Sequence, residues 1–222
     1  METFLSLSDF FGLHPYRFYL NRKIWRQKAK TYLCTTATAM QKRLIVPHAL
    51  LQIMLQRLCH QLIEAHGDFS NTVLIGLQPR GKFLATRLHK LLQEITGQTI
   101  RLGLLDTTFY RDDFRRRESP LAANATAIDF IIENQKVVLI DDVLFTGRSV
   151  RAALDAMIAF GRPAAVELLV LIDRRYQRDL PIEATYVGQQ VNSLASQKVH
   201  VAWETEENSE AAIWLVSKTE EV

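Results

Sequence analysis

The segment 137–149 constrains the fold of this chain more than any other stretch. It starts with four apolar residues, a run that is typical of a strand buried on both faces. Two adjacent carboxylates, Asp141 and Asp142, follow the run, and a short turn leads into a helical pattern at Ser149. This order predicts a buried parallel strand whose carboxyl end faces a loop and the N-terminus of a helix.

The rest of the chain alternates in the same way between short apolar runs and helical patterns. Leucines at helical spacing, each series followed by a glycine, indicate where the first two helices run and where they end. The alternation predicts an α/β fold with a doubly wound, mainly parallel sheet. We expect helices at 47–66, 82–96 and 149–160 and strands at 72–77, 100–105, 136–140 and 166–172.

Three further apolar runs in the C-terminal part, at 184–187, 199–203 and 213–216, predict short strands. We expect these strands to form a small hood over the carboxyl ends of the main sheet. The polar stretch 114–127 predicts a mobile loop, with a hairpin stem that continues to residue 132.

Residues 1–39 differ from the rest in composition, because they contain six basic and only two acidic residues. We predict a poorly ordered basic extension there, or a start codon assigned too far upstream, and a folded domain over residues 40–222. The folded part has 21 basic and 22 acidic residues, so its charge is almost balanced. A balanced charge gives no general attraction for nucleic acid, and an RNA site would have to be a local patch.

The two cysteines, Cys34 and Cys59, form neither a disulfide framework nor a metal-binding spacing. Cys59 lies in a helical pattern, where a buried and unreactive thiol is the expected state. No apolar run reaches the length of a membrane-spanning helix. These features predict a cytoplasmic protein that does not enter a membrane.

Open α/β sheets bind ligands at the carboxyl ends of their strands, where loops 76–81, 106–113 and 141–149 are expected here. Asp141 and Asp142 can accept hydrogen bonds from sugar hydroxyls, and the N–H groups at a helix start bind phosphate. This favours a sugar-phosphate site over a serine N-cap that merely follows a solvated acidic turn. Receiver domains that accept a phosphoryl group also carry paired acids, but on an early strand and without a Thr-Gly-basic-Ser step.

The order of residue types in 137–149 resembles the phosphoribosyl pyrophosphate (PRPP) motif of type I phosphoribosyltransferases. The longer segment 137–152 is similar to the family of bifunctional pyrimidine-operon regulators and uracil phosphoribosyltransferases. The resemblance runs from about Met40 to the C-terminus and implies the type I phosphoribosyltransferase fold. Shorter matches lie at 110–113, 161–163, 170–174 and 180–181.

This resemblance implies a pentosyltransferase that makes UMP and pyrophosphate from uracil and PRPP. Mg²⁺ would arrive bound to PRPP and be held mostly by substrate oxygens and water, so no side chain is expected to be a dedicated metal ligand. Asp141, Asp142, Arg80 and Arg111 would be the catalytic residues. The implied pyrophosphate contacts are Pro79, Arg80, Gly81 and Arg111, and the implied PRPP contacts are Asp141, Asp142, Val143, Leu144, Phe145, Thr146, Gly147, Arg148 and Ser149.

Pro79 departs from the family pattern, which usually has threonine before the Arg-Gly pair. Enzymes of this type often hold a cis peptide bond in this loop, and cis bonds form most readily before proline. We therefore predict a cis Gln78–Pro79 bond. A trans proline that stiffens the turn is the alternative.

Phe145 bears on which base the site accepts. Purine enzymes of this fold are similar to one another in carrying an aspartate three residues after the second acid, where this chain has Phe145. An aromatic ring can stack on a base but cannot accept a proton, which favours a pyrimidine. The alternative is that Phe145 only packs in the core.

Members of the resembled family can also bind a messenger leader RNA when UMP is present. Gln189, where the family tends to carry lysine, and the unusual stretch 191–196 weaken this reading. Solvated surface charge is the alternative role for the basic residues. The RNA contacts that the resemblance implies are Arg57, His60, Arg174, Arg175 and Arg178.

Two rival functions therefore remain beside uracil transfer. One is an RNA-binding attenuation regulator with weak or vestigial catalysis, and the other is a phosphoribosyltransferase for another base. Apolar surface on the first helix and in the C-terminal part also predicts a homodimer or a larger homo-oligomer.

Overall fold

A computed structural model of the chain describes residues 40–111, 124–176, 178–204 and 210–218. The predicted extension 1–39 and most of the predicted loop 114–127 lie outside these residues. Residues 42–217 form one compact unit.

Within the described residues, five parallel strands form the central sheet and three strands form a smaller sheet. The α/β class and the mainly parallel sheet are therefore confirmed. In chain order the elements are β1 (Met40–Val46), α1 (His48–His66), β2 (Thr72–Gln78), α2 (Gly81–Thr96), β3 (Arg101–Asp106), β4 (Lys136–Leu144), α3 (Arg148–Met157), β5 (Ala165–Arg175), β6 (Tyr186–Asn192), β7 (Gln197–Ala202) and β8 (Ala212–Lys218). The strand order is β3-β2-β4-β5-β6 in the central sheet and β1-β8-β7 in the smaller sheet, which is called the hood below.

The sheet is covered on both faces because its strand residues alternate between two apolar clusters. Leu74 and Val138 pack in the cluster that includes the buried leucines of α1 and α2. Ile75 and Leu139, one residue further along their strands, pack in the cluster of α3. This alternation is the doubly wound arrangement that the apolar runs predict.

Helices α1 and α2 end as the glycine pattern predicts. Gly67 and Gly97 follow them with φ of 60° and 67°, and their N–H groups close the last helical turns. Cys59 is buried in α1 and its pKa is raised to about 12 by burial, as expected for an unreactive thiol. No helix in the described ranges is long and apolar enough to span a membrane.

The hood differs from the prediction in two of its strands. The run at 184–187 leads into β6, which begins at Tyr186, pairs in parallel with β5 in the central sheet and is therefore not part of the hood. The hood instead gains β1, which sequence patterning missed because its N-terminal half carries polar and basic residues. The expected stem at 127–132 is reduced, in the described part, to a single bridge between Leu104 and Ala127.

Candidate active site

The carboxyl ends of β2, β3 and β4 meet at one edge of the sheet, because the three strands are parallel and adjacent. The turn after β2, the loop after β3 and the loop after β4 surround a cavity of about 300 Å³. The sequence predicts these three loops as ligand-binding loops, and the structure brings them together. Among the residues that line the cavity are Pro79, Arg80, Thr108, Arg111, Asp141 and Asp142.

The turn after β2 approaches the acidic end of β4 very closely. The Gln78–Pro79 peptide bond is cis, which confirms that prediction. A Cβ atom at Gly81 would lie 2.6 Å from the carbonyl oxygen of Ile140 and 3.1 Å from Oδ1 of Asp141. Only glycine allows this approach, so Gly81 determines how close the turn lies to the acid pair.

Arg80 joins the turn, the acid pair and the hood. Its Nε donates to Oδ2 of Asp142 at 2.8 Å, and its Nη2 donates to the carbonyl oxygen of Val201 in β7 at 2.9 Å. Close by on β7, the pKa of His200 is lowered by burial and by the positive charge of Arg80. The guanidinium therefore holds the hood strand against the strand-end loops.

The two carboxylates are the continuation of strand β4, which runs through them to Leu144 rather than ending before them. Asp142 is 5 % exposed, and its N–H donates to Oδ1 of Asp141 at 2.9 Å. Burial raises the pKa of Asp141 well above its ordinary value, the neighbouring Asp142 charge raises it further, and Arg111 opposes the shift. Burial and the neighbouring charge thus disfavour a second negative charge at this pair, and a cationic or hydrogen-bonding ligand would relieve that cost.

The loop after β4 forms a second cavity of about 240 Å³, which shares Arg111, Asp141, Val143 and Ser149 with the first. Gly147 has φ of 89°, a left-handed conformation that turns the chain into α3. Nη1 of Arg111 donates to Oγ of Ser149 at 2.9 Å, so Arg111 lies at the start of that helix. This is the loop, helix start and cation arrangement that favours an anion.

A second segment supports this loop and was not expected from sequence. The N–H groups of Asp179 and Leu180 both donate to the carbonyl oxygen of Thr146, at 3.1 and 3.3 Å. Nε of Arg148 donates to Oδ2 of Asp179 at 3.0 Å. These contacts come from a stretch more than 30 residues away, and no local pattern in the sequence indicates them.

Phe145 lies at the edge of the second cavity and is half-buried. The guanidinium carbon of Arg174 lies 3.9 Å from the centre of its ring. One face of the ring is therefore covered by a cation, and a base could stack only on the other face.

The five residues expected to contact RNA differ in their exposure to solvent. Arg174 is only 4 % exposed and donates to Oγ of Ser193 and to the carbonyl oxygens of Leu194 and Gln197, at 2.8 to 3.1 Å. Because β5 continues through Arg174, its side chain turns inward and is held by the protein's own acceptors, so its position does not support the predicted RNA contact.

Arg178 is also held mainly by contacts within the protein. It pairs with Asp173 and donates to the carbonyl oxygen of Phe145, and both charged side chains are largely buried. Arg57, His60 and Arg175 are exposed, as the RNA reading requires.

Sequence reasoning recognised the loop after β3 but missed its inner residues. Thr107, Thr108 and Asn124 line the first cavity beside Arg111. The sequence pattern that could have identified Thr107 and Thr108 is their place directly after the end of β3, where hydroxyl and N–H donors can face a ligand. Across the described ranges, no group of three or more His, Cys, Asp or Glu side chains could hold a metal ion.

Comparisons with known proteins agree with this geometry. A family model described as phosphoribosyl transferase domain matches residues 45–208. The chain is similar to the structure of a hypoxanthine phosphoribosyltransferase from Staphylococcus aureus, with a TM-score of 0.54 and 20 % identity over 71 % of this chain and 80 % of that one. A hypoxanthine-guanine-xanthine phosphoribosyltransferase gives a TM-score of 0.56 and 16 % identity over 77 % and 92 % of the two chains. At these identities, the likeness shows the fold alone.

Several relatives of higher identity carry the name "Bifunctional protein PyrR". The protein from Caldicellulosiruptor bescii is 45 % identical over 159 residues, which are 72 % of this chain and 87 % of the relative. The protein from Bacillus subtilis is 40 % identical over 178 residues, which are 78 % of this chain and 97 % of the relative. With the domain match, the fold and the strand-end cavity in agreement, the chain belongs to the phosphoribosyltransferase family as a type I member of the PyrR kind.

Proposed function

We propose that this protein transfers the phosphoribosyl group of PRPP to uracil and releases UMP and pyrophosphate. The observation that carries the proposal is the single cavity in which the turn 78–81, Arg111 and the Asp141–Asp142 pair meet. Each part of PRPP has a chemically suitable partner there. The relatives are named PyrR, and the family that the sequence resembles contains pyrimidine-operon regulators, which supports a pyrimidine as the substrate base.

The ribose and its 5′-phosphate would bind at the end of β4. Asp141 and Asp142 accept hydrogen bonds from the ribose hydroxyls, and the loop 146–149 supplies N–H and hydroxyl donors to the phosphate. Ser149 is already an acceptor for Arg111 at 2.9 Å, so the guanidinium lies next to the place where the phosphate would bind.

Pyrophosphate would lie between the turn 79–81 and Arg111. As it leaves C1′, positive charge develops on the ribose ring and negative charge on the leaving group. Arg80 and Arg111 stabilise the leaving group, and one donor placed in advance is worth about 3 kcal/mol in such a role. Exclusion of water from the cavity protects PRPP from hydrolysis.

Mg²⁺ suits the donors of this site. The cavity presents two adjacent carboxylates rather than a cage of three or more protein ligands in its described part. Mg²⁺ keeps several waters and binds through few carboxylates together with substrate phosphates. Asp141 and Asp142 would contact it directly or through water, and the ion would neutralise charge on pyrophosphate.

The base would be uracil because the position where purine enzymes of this fold carry an aspartate is Phe145. A phenyl ring offers no acceptor for a purine proton. Its face that is not covered by Arg174 offers a stacking surface for a pyrimidine.

The test is to incubate the purified protein with PRPP, Mg²⁺ and one base at a time, and to measure pyrophosphate release. We expect turnover with uracil and none with hypoxanthine or guanine. Turnover with a purine, or pyrophosphate release that no base stimulates, would contradict the proposal.

A second function, UMP-dependent binding of messenger leader RNA, is favoured by one group of contacts. Arg57 on α1 donates to the carbonyl oxygens of Val187 and Gly188 in β6, and Arg175 contacts the side chain of Gln190 in the same strand. Two exposed arginines therefore flank one strand and form a local basic patch, which can contact RNA phosphates.

The RNA function is tested by retention of the protein's own leader RNA with and without UMP. The double substitution of Arg57 and Arg175 by alanine should weaken retention. It should also make the slope of log K against log salt concentration shallower, by the amount expected for about two lost phosphate contacts. Unchanged retention, or retention independent of UMP, would argue against this function. Uracil transfer by the same variant should remain at the wild-type rate.

The proposal also includes a cytoplasmic location and a homodimer or a larger homo-oligomer. Ile53 on α1 is 61 % exposed and lies on the same helix as the exposed Leu50. A second copy of the chain would cover such apolar surface, and light scattering would measure the resulting mass.

A further inference from the structure

Asp106, the last residue of β3, uses its carboxylate to hold two separate parts of the chain. It is 8 % exposed. Its Oδ1 accepts the N–H of Thr108 at 3.1 Å and the hydroxyl of Thr108 at 2.7 Å. Its Oδ2 accepts the N–H of Asn124 at 2.9 Å. One buried side chain therefore ties together the chain on both sides of residues 112–123.

The returning stretch 124–127 is held by further bonds. The N–H of Asp106 donates to Oγ1 of Thr126 at 3.1 Å, and Nε2 of Gln78 donates to the carbonyl oxygen of Ala125 at 2.7 Å. This stretch is therefore anchored both to β3 and to the turn that carries Arg80.

The stretch that follows Asp106, residues 107–110, leads directly to Arg111. Thr108 begins a single 3₁₀ turn that ends at Tyr110, and the N–H of Tyr110 donates to the carbonyl oxygen of Thr107 at 3.1 Å. Arg111 follows this turn and reaches Ser149. The position of Arg111 beside the loop 146–149 thus depends on where Asp106 holds the start of the turn.

The chemistry of the side chain fits this task better than substrate binding. Both carboxylate oxygens are used by protein donors, three in all. A free negative charge beside the phosphate and pyrophosphate positions would repel the substrate, whereas three donors compensate the charge. An ionised carboxylate accepts all three bonds, but an amide would present N–H₂ to one of the donors.

We propose that Asp106 is a positioning residue for the transfer reaction, acting by placing Arg111 in the PRPP site. The inference rests on the proposed transferase activity. A purely structural role would make Asp106 variants less stable, but it would not make their effect on PRPP depend on Arg111.

The test is a double-mutant cycle in the full chain with Asp106→Asn, Arg111→Ala and the double variant. PRPP binding with Mg²⁺ is measured by calorimetry and uracil transfer by kcat and KM, beside a thermal melt of each protein. We expect Asp106→Asn to weaken PRPP binding about tenfold in the wild-type background. In the Arg111→Ala background the same substitution should have almost no effect on binding. A loss of the same size in both backgrounds, or no loss in the wild-type background, would overturn the inference.

Two further variants sharpen the result. Thr108→Val removes the hydroxyl donor and keeps the N–H donor, so it should reproduce part of the loss. Glu133→Gln is the matched control, because Oε2 of Glu133 also accepts a backbone N–H, from Arg162 at 2.7 Å, and Glu133 is not among the residues lining the cavity. It should leave PRPP binding and kcat unchanged.

The outcomes separate this inference from the proposed function. A wild-type protein that binds PRPP but does not use uracil contradicts the base assignment, and the binding cycle still decides the role of Asp106. A wild-type protein that does not bind PRPP overturns both. A wild-type protein that transfers phosphoribose, with an Asp106 effect independent of Arg111, overturns only the inference.

Discussion

Nε of Arg80 and Oδ2 of Asp142 lie 2.8 Å apart, and this ion pair joins the turn proposed for pyrophosphate to the carboxylate proposed for ribose. The side chain of Arg80 is 48 % exposed, whereas that of Asp142 is 7 % exposed. In the free protein each group neutralises the other. PRPP would replace this single contact by two, with pyrophosphate on Arg80 and ribose hydroxyls on Asp142.

Arg80→Ala should reduce kcat by about 100-fold, because it removes a donor to the leaving pyrophosphate and leaves a buried carboxylate without its cation. Steady-state assays with uracil and PRPP measure the loss. Arg80→Lys keeps the charge without the planar fork and should recover only part of the activity. A kcat within twofold of wild type for Arg80→Ala would remove Arg80 from the proposed mechanism.

Gly81→Ala should separate the turn from β4. The added Cβ would lie 2.6 Å from the backbone oxygen of Ile140, a contact that requires backbone movement. We expect a loss of about 1–3 kcal/mol in the free energy of unfolding and weaker PRPP binding.

Gly97→Ala is the matched control for this substitution. Gly97 has φ of 67° in open space, so alanine there should be strained by about 1 kcal/mol and leave PRPP binding unchanged. Chemical denaturation and calorimetry measure both effects. Equal PRPP affinity in the two variants would show that the close approach at Gly81 is not needed.

The raised pKa of Asp141 makes a prediction about stability and pH. A carboxyl whose pKa is higher in the folded state binds its proton more tightly there than in the unfolded chain. The free energy of unfolding should therefore fall as the pH rises from the ordinary Asp value of 3.8 towards the raised value.

Asp141→Asn should remove this part of the decrease, because the amide does not ionise. Denaturant unfolding at a series of pH values measures the slope. Asp155→Asn, an exposed aspartate on α3, serves as the control and should keep the wild-type slope. Parallel curves for wild type and Asp141→Asn would contradict the assignment of the proton to Asp141.

Phe145→Leu should raise the KM for uracil by roughly 5- to 100-fold while leaving the KM for PRPP near wild type. The reason is that stacking of a base on an aromatic ring contributes about 1–3 kcal/mol. Phe145→Tyr keeps the ring and should keep the KM. If Phe145 only packs in the core, the leucine variant will lose stability and both KM values will change little.

The sequence alone indicates the elements around the site, because each depends on neighbouring residues. A short apolar run predicts β4, the glycines after α1 and α2 indicate their ends, and the Asp141–Asp142 pair indicates the polar part of β4 that faces the site. The absence of a carboxylate at position 145 is also visible without a structure. Such features need only the local period of apolar residues and the chemistry of adjacent side chains.

The tertiary structure decides which distant groups meet. It places β6 beside β5 rather than in the hood, turns Arg174 inward beneath Phe145, and joins Asp106 to Asn124. It also pairs Arg80 with Asp142, which are 62 residues apart in the chain. These contacts depend on strand order and register, which follow from the packing of the whole domain and which no local pattern contains.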